Sequence, residues 1–170
     1  MKKIPFFNYS WLFEHDRDSI LEVISNVAQR GAFIMQSDLL EFENNIANYT
    51  DSNHAIGVAN ATDALQILLI AGGIKSGDEV IFCSHTMIAT ASAIHFAGGV
   101  PIPVDPGIDH LIDPDSIKKA ISSRTKAIMP TQLNGRVADM HKISEIANQY
   151  GLQIYEDAAQ ALGAKYDNQY

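Results

Sequence analysis

The sequence has little of what marks exported, metal-binding or membrane proteins. Cys83 is the single cysteine among 170 residues, so no internal disulfide can form, and no Cys and His spacing matches a structural zinc site. No apolar run approaches the ~20 residues that a membrane helix needs. The first residues, 1–8, lack the apolar region of a signal peptide. These absences predict a cytoplasmic protein without a metal site.

Basic side chains are also scarce. Twelve Lys and Arg stand against twenty Asp and Glu, which gives a formal net charge of −8. Because this excess repels phosphodiester backbones and anionic lipids, we expect neither a nucleic acid nor a membrane as the main partner. A small charged metabolite remains compatible, since a local site can oppose the charge of the whole chain.

What is present is the composition of a packed globular protein. Apolar residues make up 46% of the chain and charged residues 19%, and a chain of this length buries roughly 70% of its unfolded surface. We predict a helical N-terminal segment over residues 1–54 and an α/β domain over 55–170. In the first segment, apolar residues at helical spacing predict one helix over 16–30 that ends at a left-handed Gly31, and a second that starts at the N-cap candidate Ser37.

From residue 55 onward, short apolar runs alternate with amphipathic stretches. The predicted strands are 55–59, 79–83, 100–104, 126–130 and 152–156, and the predicted helices between them are 61–72, 87–97, 114–122 and 139–150. This alternation favours a mainly parallel sheet with helices on both faces. The prolines in 100–104 indicate an edge strand or a short one.

Polar residues follow four of the strands. They occupy 60–63, 84–87, 131–136 and 157–160. Ligands of open parallel sheets bind beyond the carboxyl ends of the strands, so these segments are the candidate site.

The segment 60–63 opens a helix with a small residue and a threonine. Free backbone N–H groups and the hydroxyl of Thr62 at the positive end of a helix dipole would suit a phosphate. The alternative is that Asn60 or Thr62 only caps the helix while Asp63 complements its dipole. The residues alone leave both open.

Asp157 follows an apolar strand and precedes an alanine-rich segment. A carboxylate in such a cleft needs a donor or a cation, and a protonated ring nitrogen on a cofactor would serve. The alternative is an N-cap for the alanine-rich segment. His85 has the chemistry to stack or relay a proton, but a histidine beside hydroxyl residues is more often a hydrogen-bonding residue, and the other histidines are assigned to surface or packing positions.

Several motifs together resemble one protein family. The segments 57–65, 77–81, 85–90, 126–130 and 156–160 occur in the order and spacing of the DegT/DnrJ/StrS-type nucleotide-sugar aminotransferases, and the likeness covers nearly the whole chain. These enzymes use pyridoxal 5′-phosphate (PLP) on the aspartate aminotransferase fold, fold type I. The resemblance therefore implies PLP as cofactor and part of that fold's large domain.

The resemblance also implies roles for five residues. Ala61 and Thr62 would hold the cofactor phosphate, Asp157 would pair with the pyridine nitrogen, and Gln160 would lie near the phenolic oxygen. Met87 would lie over the ring face, where the family commonly has an aromatic residue. Methionine can contact the ring through its polarizable sulfur but cannot stack on it.

The family's Schiff-base lysine lies further along the chain than Tyr170, and none of the eight lysines present matches its position. The resemblance thus implies the N-terminal part of an enzyme, inactive by itself. That enzyme would move an amino group from an amino acid, glutamate, to a keto nucleotide-sugar in amino-sugar or surface-polysaccharide synthesis, as a homodimer or with a partner chain that completes the fold. The alternative is a non-catalytic homologue that binds PLP or a sugar nucleotide and acts in assembly or regulation.

Overall fold

Residues 4–168 are described by a computed structural model, in which helices and strands alternate from residue 61 onward. The helices are α1 (Tyr9–Gln29), α2 (Ser37–Tyr49), α3 (Ala61–Ala71), α4 (Ile88–Phe96), α5 (Pro114–Ala120) and α6 (Met140–Tyr150). The strands are β1 (Glu79–Cys83), β2 (Val100–Val104), β3 (Thr125–Met129) and β4 (Gln153–Ile154). None of the helices within 4–168 combines the length and apolarity needed to cross a bilayer.

The strands form one parallel sheet in the order β2-β1-β3-β4. β1 pairs with β2 in unbroken register, from Glu79 opposite Val100 to Cys83 opposite Val104. β2 lies at the end of the order and contains Pro101 and Pro103, so the prediction of an edge strand is confirmed.

The side chains of β1 alternate between two cores, one on each face of the sheet. Val80 and Phe82 face α3 and α4, whereas Ile81 and Cys83 face α5 and α6. The predicted arrangement, a parallel sheet with helices on both faces, is therefore confirmed.

Helix ends agree with the local signals in the sequence. The Asp113 side chain accepts from the N–H groups of Asp115 and Ser116, directly before a first-turn proline. Asp139 accepts from the N–H of Lys142 at 3.1 Å at the start of α6, and Gly151 ends that helix with φ of +65°.

The predicted strand over 55–59 was wrong. This segment has no regular secondary structure and pairs with none of the strands in the part of the chain that the structure describes, and Ile56 is 82% exposed. A strand is defined by the neighbour to which it hydrogen-bonds. Gly57 contacts α2, where its N–H donates to Glu43 Oε1 at 2.7 Å, whereas Ile56 and Val58 are left exposed.

Three other boundaries needed correction. α1 starts at Tyr9 rather than at residue 16, because the Asn8 side chain accepts from the N–H of Trp11. Ser37 is the first residue of α2 and not its cap; Gln36 is the N-cap residue, without a side-chain bond. Of the predicted strand 152–156, only Gln153–Ile154 form a strand, and an isolated parallel bridge between Thr131 and Asp157 follows it.

A buried carboxylate anchors the start of β1. Glu79 accepts from Arg124 Nε at 2.8 Å and from the hydroxyls of Ser122 and Thr125. The hydrogen bonds from Ser122 and then from Arg124 lower the pKa of the Glu79 carboxyl from its usual value. The ionised form is therefore favoured in the folded chain.

This arrangement predicts a pH dependence of stability. A carboxyl whose pKa is lowered by folding contributes fully above the pKa of the unfolded chain, and the contribution is lost as pH falls through the folded value. We expect Glu79→Gln to lower the free energy of unfolding at neutral pH by about 1–3 kcal/mol and to flatten its decline under acid. Urea denaturation across the acid range measures both. Glu22→Gln on the exposed surface of α1 is the control, and equal acid sensitivity of wild type and Glu79→Gln would contradict the assignment.

Candidate active site

The carboxyl ends of the strands bring the polar segments together. Because β1, β3 and β4 are parallel, the residues that follow them lie at one edge of the sheet. Asp157 is fixed there by its backbone: its N–H donates to Pro130 O at 2.9 Å, and its carbonyl accepts from Gln132 N at 2.9 Å. These bonds continue the pairing of β3 and β4 beyond the regular strands.

The carboxylate of Asp157 is 5% exposed and has only uncharged donors. Its Oδ2 accepts from Thr90 Oγ1 at 2.7 Å and its Oδ1 from the N–H of Ala159 at 3.3 Å. Within residues 4–168, no Lys, Arg or His forms an ion pair with it. The bond to Ala159 agrees with the capping alternative, but a turn-capping carboxylate has no need to be buried. A buried anion with neutral partners is stabilised further by a cation, so the site suits a protonated ring nitrogen.

Two further hydroxyls lie behind Thr90. Thr86 Oγ1 is 2.9 Å from Thr90 Oγ1 and donates to Thr131 Oγ1 at 3.0 Å. Thr90 is completely buried on α4, and Thr131 is buried at the end of β3. The sequence motifs pointed to Asp157 but not to Thr90. The only signal for Thr90 was its place on a predicted helix, one turn after Thr86.

The start of α3 has both features that the sequence left open. Asn60 is the N-cap: its Oδ1 accepts from Asp63 N at 3.0 Å and its Nδ2 donates to Asp63 Oδ2 at 2.9 Å. The N–H groups of Ala61 and Thr62 have no acceptor within residues 4–168. Capping and two free donors therefore coexist, and an anion such as a phosphate fits these donors.

The topology places the start of α3 at the edge that carries Asp157. α3 packs with Leu65 and Leu69 on one face of the sheet, and residues 72–78 join its end to the start of β1. An eleven-residue helix rises about 16 Å, close to the ~17 Å of a five-residue strand. Because the end of α3 leads to the start of β1 and the two elements are about equally long, the start of α3 lies at the carboxyl end of β1.

The remaining candidate residues lie on the surface near this edge. Met87 is 64% exposed and is the N-cap residue of α4. Gln160 is exposed, and its Oε1 accepts from Asn134 N at 3.1 Å, which leaves its amide N–H groups free to donate. His85 Nδ1 lies 3.0 Å from the carbonyl oxygen of His110, so His85 has the hydrogen-bonding role that its neighbours favoured.

A cavity of about 460 Å³ lies beside this group of residues rather than on it. Its lining includes Thr50, Gln132, Glu156 and Tyr166. It contains none of Thr62, Met87 or Asp157, so these residues are candidates because of their chemistry and position and not because they surround a cavity.

The edge of the sheet thus joins a helix start with free N–H groups to a buried carboxylate, on an α/β fold. The fold is that of the PLP-dependent aminotransferases. Residues 14–170 match the DegT/DnrJ/EryC1/StrS aminotransferase family, and the chain belongs to this family.

Relatives with assigned activities are sugar transaminases. The chain is 42% identical over 165 residues to dTDP-3-amino-3,4,6-trideoxy-alpha-D-glucose transaminase of Streptomyces venezuelae, covering 96% of this chain and 44% of the relative. It is 38% identical over 165 residues to the 3-oxo-glucose-6-phosphate:glutamate aminotransferase of Bacillus subtilis, covering 96% of this chain and 37% of the relative. The chain therefore spans less than half the length of these relatives.

Solved structures show the same fold. DesV of S. venezuelae superposes with a TM-score of 0.93 at 41% identity, over 96% of this chain and 44% of DesV. NtdA of B. subtilis, solved with bound cofactor PMP, superposes with a TM-score of 0.92 at 38% identity, over 96% of this chain and 38% of NtdA.

Proposed function

We propose that this chain carries the cofactor-binding residues of an aminotransferase that moves an amino group from glutamate to a keto group on a nucleotide-linked sugar. The observation that carries the proposal is the buried carboxylate of Asp157, held at the carboxyl edge of the sheet by uncharged donors. A cationic partner would stabilise this carboxylate further, and the family's cofactor provides one in its protonated ring nitrogen.

Each candidate residue has a role that its surroundings support. Asp157 keeps the ring nitrogen protonated, and PLP when bound supplies an electron sink for the carbanion formed at the amino donor. Ala61 and Thr62 hold the phosphate through their free N–H groups and the threonine hydroxyl. Gln160 donates its amide N–H to the phenolic oxygen. Met87 covers the ring face with its thioether, which contacts the ring but cannot stack on it as an aromatic side chain would.

The substrates are inferred from the relatives. Glutamate appears in the name of the B. subtilis aminotransferase, and a dTDP-linked sugar in that of the S. venezuelae transaminase. We place the reaction in amino-sugar or surface-polysaccharide synthesis in the cytoplasm.

Residues 1–54 would form a helical unit beside the cofactor-binding domain of 55–170. A second copy or a partner chain would cover exposed apolar residues such as Ile56 and Ile88.

A second candidate function is cofactor or sugar-nucleotide binding without catalysis. A relative from Geobacillus stearothermophilus, 41% identical over 167 residues, is named a pleiotropic regulatory protein. Lys142 is a poor candidate for a nucleophile. Its Nζ lies 2.9 Å from Asp139 Oδ2, and this hydrogen bond raises the pKa of Lys142, so the amine stays protonated.

Reduction of the PLP-loaded chain tests the proposal. We expect the purified chain to bind PLP noncovalently, and borohydride followed by mass spectrometry to reveal no stoichiometric adduct on any lysine, since the catalytic amine is expected outside this sequence. A single modified lysine would overturn that expectation. Failure of the chain to bind PLP would overturn the proposed function itself. Lys142→Arg is the control for nonspecific modification at the edge of the sheet.

A further inference from the structure

The contact between Thr90 and Asp157 is the shorter of the two hydrogen bonds to the carboxylate. Thr90 Oγ1 lies 2.7 Å from Oδ2, whereas the N–H of Ala159 lies 3.3 Å from Oδ1. Thr90 is completely buried, so water cannot take its place as the donor to Oδ2. A hydrogen bond to an ionised acceptor in such surroundings is roughly twice as strong as one between neutral groups.

The hydroxyl of Thr90 has one proton, so it can donate only one hydrogen bond. Its one proton is directed to Asp157, so it has none to give to Thr86, 2.9 Å away. Thr86 also has one proton, which it donates to Thr131. The hydroxyl oxygen of Thr86 lies beside that of Thr90 but forms no hydrogen bond with Asp157 in the part of the chain that the structure describes, so Thr86 only helps to fix the position of the Thr90 hydroxyl. Thr86 therefore supports Asp157 only indirectly.

We propose that Thr90 is a positioning residue that stabilises the negative charge of Asp157 and thereby keeps the shared proton on the cofactor's ring nitrogen. The inference rests on the proposed function, in which Asp157 faces that nitrogen. Between a carboxylate and a pyridine nitrogen, one proton resides on either partner. A donor to the carboxylate favours the charged pair over the neutral one, whereas loss of that donor favours a neutral acid and a neutral ring.

The same two bonds also orient the carboxylate. Oδ2 accepts from the Thr90 hydroxyl on α4 and Oδ1 from the backbone N–H of Ala159, so each oxygen is held by a different part of the fold. Each oxygen keeps lone pairs for a further donor, because a carboxylate accepts about four hydrogen bonds and accepts two from residues 4–168.

The test compares PLP with its 1-deaza analogue, in which carbon replaces the ring nitrogen. We expect the wild-type chain to bind PLP more tightly than the analogue, and Thr90→Val to reduce this preference roughly tenfold. Thr90→Ser should restore it, because serine keeps the hydroxyl. Thr86→Val should reduce it less than Thr90→Val does. Thr50→Val, at a threonine whose hydroxyl donates to Ile46 O away from Asp157, is the matched control.

The outcomes separate the inference from the proposed function. Equal weakening of PLP and analogue by Thr90→Val would mean a merely structural role and would overturn the inference alone. Absence of PLP binding by the wild type would overturn the proposed function and with it the role of Thr90 toward the ring. A second measurement follows the ¹⁵N chemical shift of the ring nitrogen of bound PLP, which reports its protonation. We expect the signal to move toward the neutral ring in Thr90→Val and to return in Thr90→Ser, and an unmoved signal would refute the inference.

Discussion

Replacement of Asp157 by asparagine is expected to weaken PLP binding by about 100-fold while leaving the unliganded chain as stable as the wild type, or more so. Asparagine keeps the shape, and its one oxygen still accepts from Thr90 while it gives up the long bond from the Ala159 N–H, but it has no charge to pair with a protonated ring nitrogen. Removing one partner of a buried charged pair costs roughly 2–5 kcal/mol of binding. Without ligand, the same change removes a buried anion that has only neutral donors, which relieves a desolvation cost.

Thermal unfolding with and without PLP measures both effects. PLP should raise the unfolding temperature of the wild type, because a ligand that binds only the folded state stabilises it by mass action. At a PLP concentration a few times the wild-type Kd, the shift should nearly vanish in Asp157→Asn. Asp115→Asn, at an exposed position in the first turn of α5, should keep the wild-type shift. Equal shifts for wild type and Asp157→Asn would remove the main support for the proposed function.

Gly72→Ala is expected to lower the free energy of unfolding by about 2–3 kcal/mol. Gly72 is the C-cap of α3, with an ordinary helical φ of −74°, so alanine meets no backbone strain there. The new methyl group would instead lie 2.6 Å from Cζ of Tyr155 and closer still to its hydroxyl. Tyr155 packs against the core that α3 and α4 share, and its hydroxyl donates to Gln153, so the ring cannot move without cost.

The neighbouring glycine provides the matched control. Gly73 has φ of +86° and open space around the position of a Cβ, so Gly73→Ala tests backbone strain without a clash. We expect it to cost about 1 kcal/mol. The double variant Gly72→Ala with Tyr155→Leu should be more stable than the sum of the two single changes predicts, since leucine makes room for the methyl group. Urea denaturation measures the wild type and the four variants, and strict additivity of Gly72→Ala and Tyr155→Leu would contradict the clash.

The sequence predicted those parts of the fold that depend on nearby residues. The caps at Asp113 and Asp139 and the left-handed Gly151 depend on residues that lie within a few positions of the helix ends that they bound. The segment 55–59 was misassigned for the opposite reason. Its apolar pattern suits a strand, but whether a strand forms depends on a hydrogen-bonding neighbour that local sequence does not specify.

The same distinction applies to the candidate site. Asp157 and Thr62 were proposed because each lies in a motif and at a predicted strand or helix end. The bond from Thr90 to Asp157 joins residues 67 positions apart and depends on how α4 packs on the sheet. Periodicity placed Thr90 on a helix but gave no information on what its hydroxyl contacts. The roles of Ala61, Thr62, Met87, Asp157 and Gln160 toward PLP stay predictions for the binding experiments above.

The prolines of β2 determine at which edge of the sheet a further strand can pair. Val100 donates its N–H to Asp78 O and Val104 accepts from Ser84 N, both at 2.8 Å, so these residues direct their peptide groups toward β1. Alternate residues of a strand direct theirs the opposite way, which turns Pro101 and Pro103 outward. Their missing N–H groups leave that border without donors at two successive outward positions. An approaching strand therefore finds no ladder to join there, and recruitment of further strands is restricted to the flank of β4.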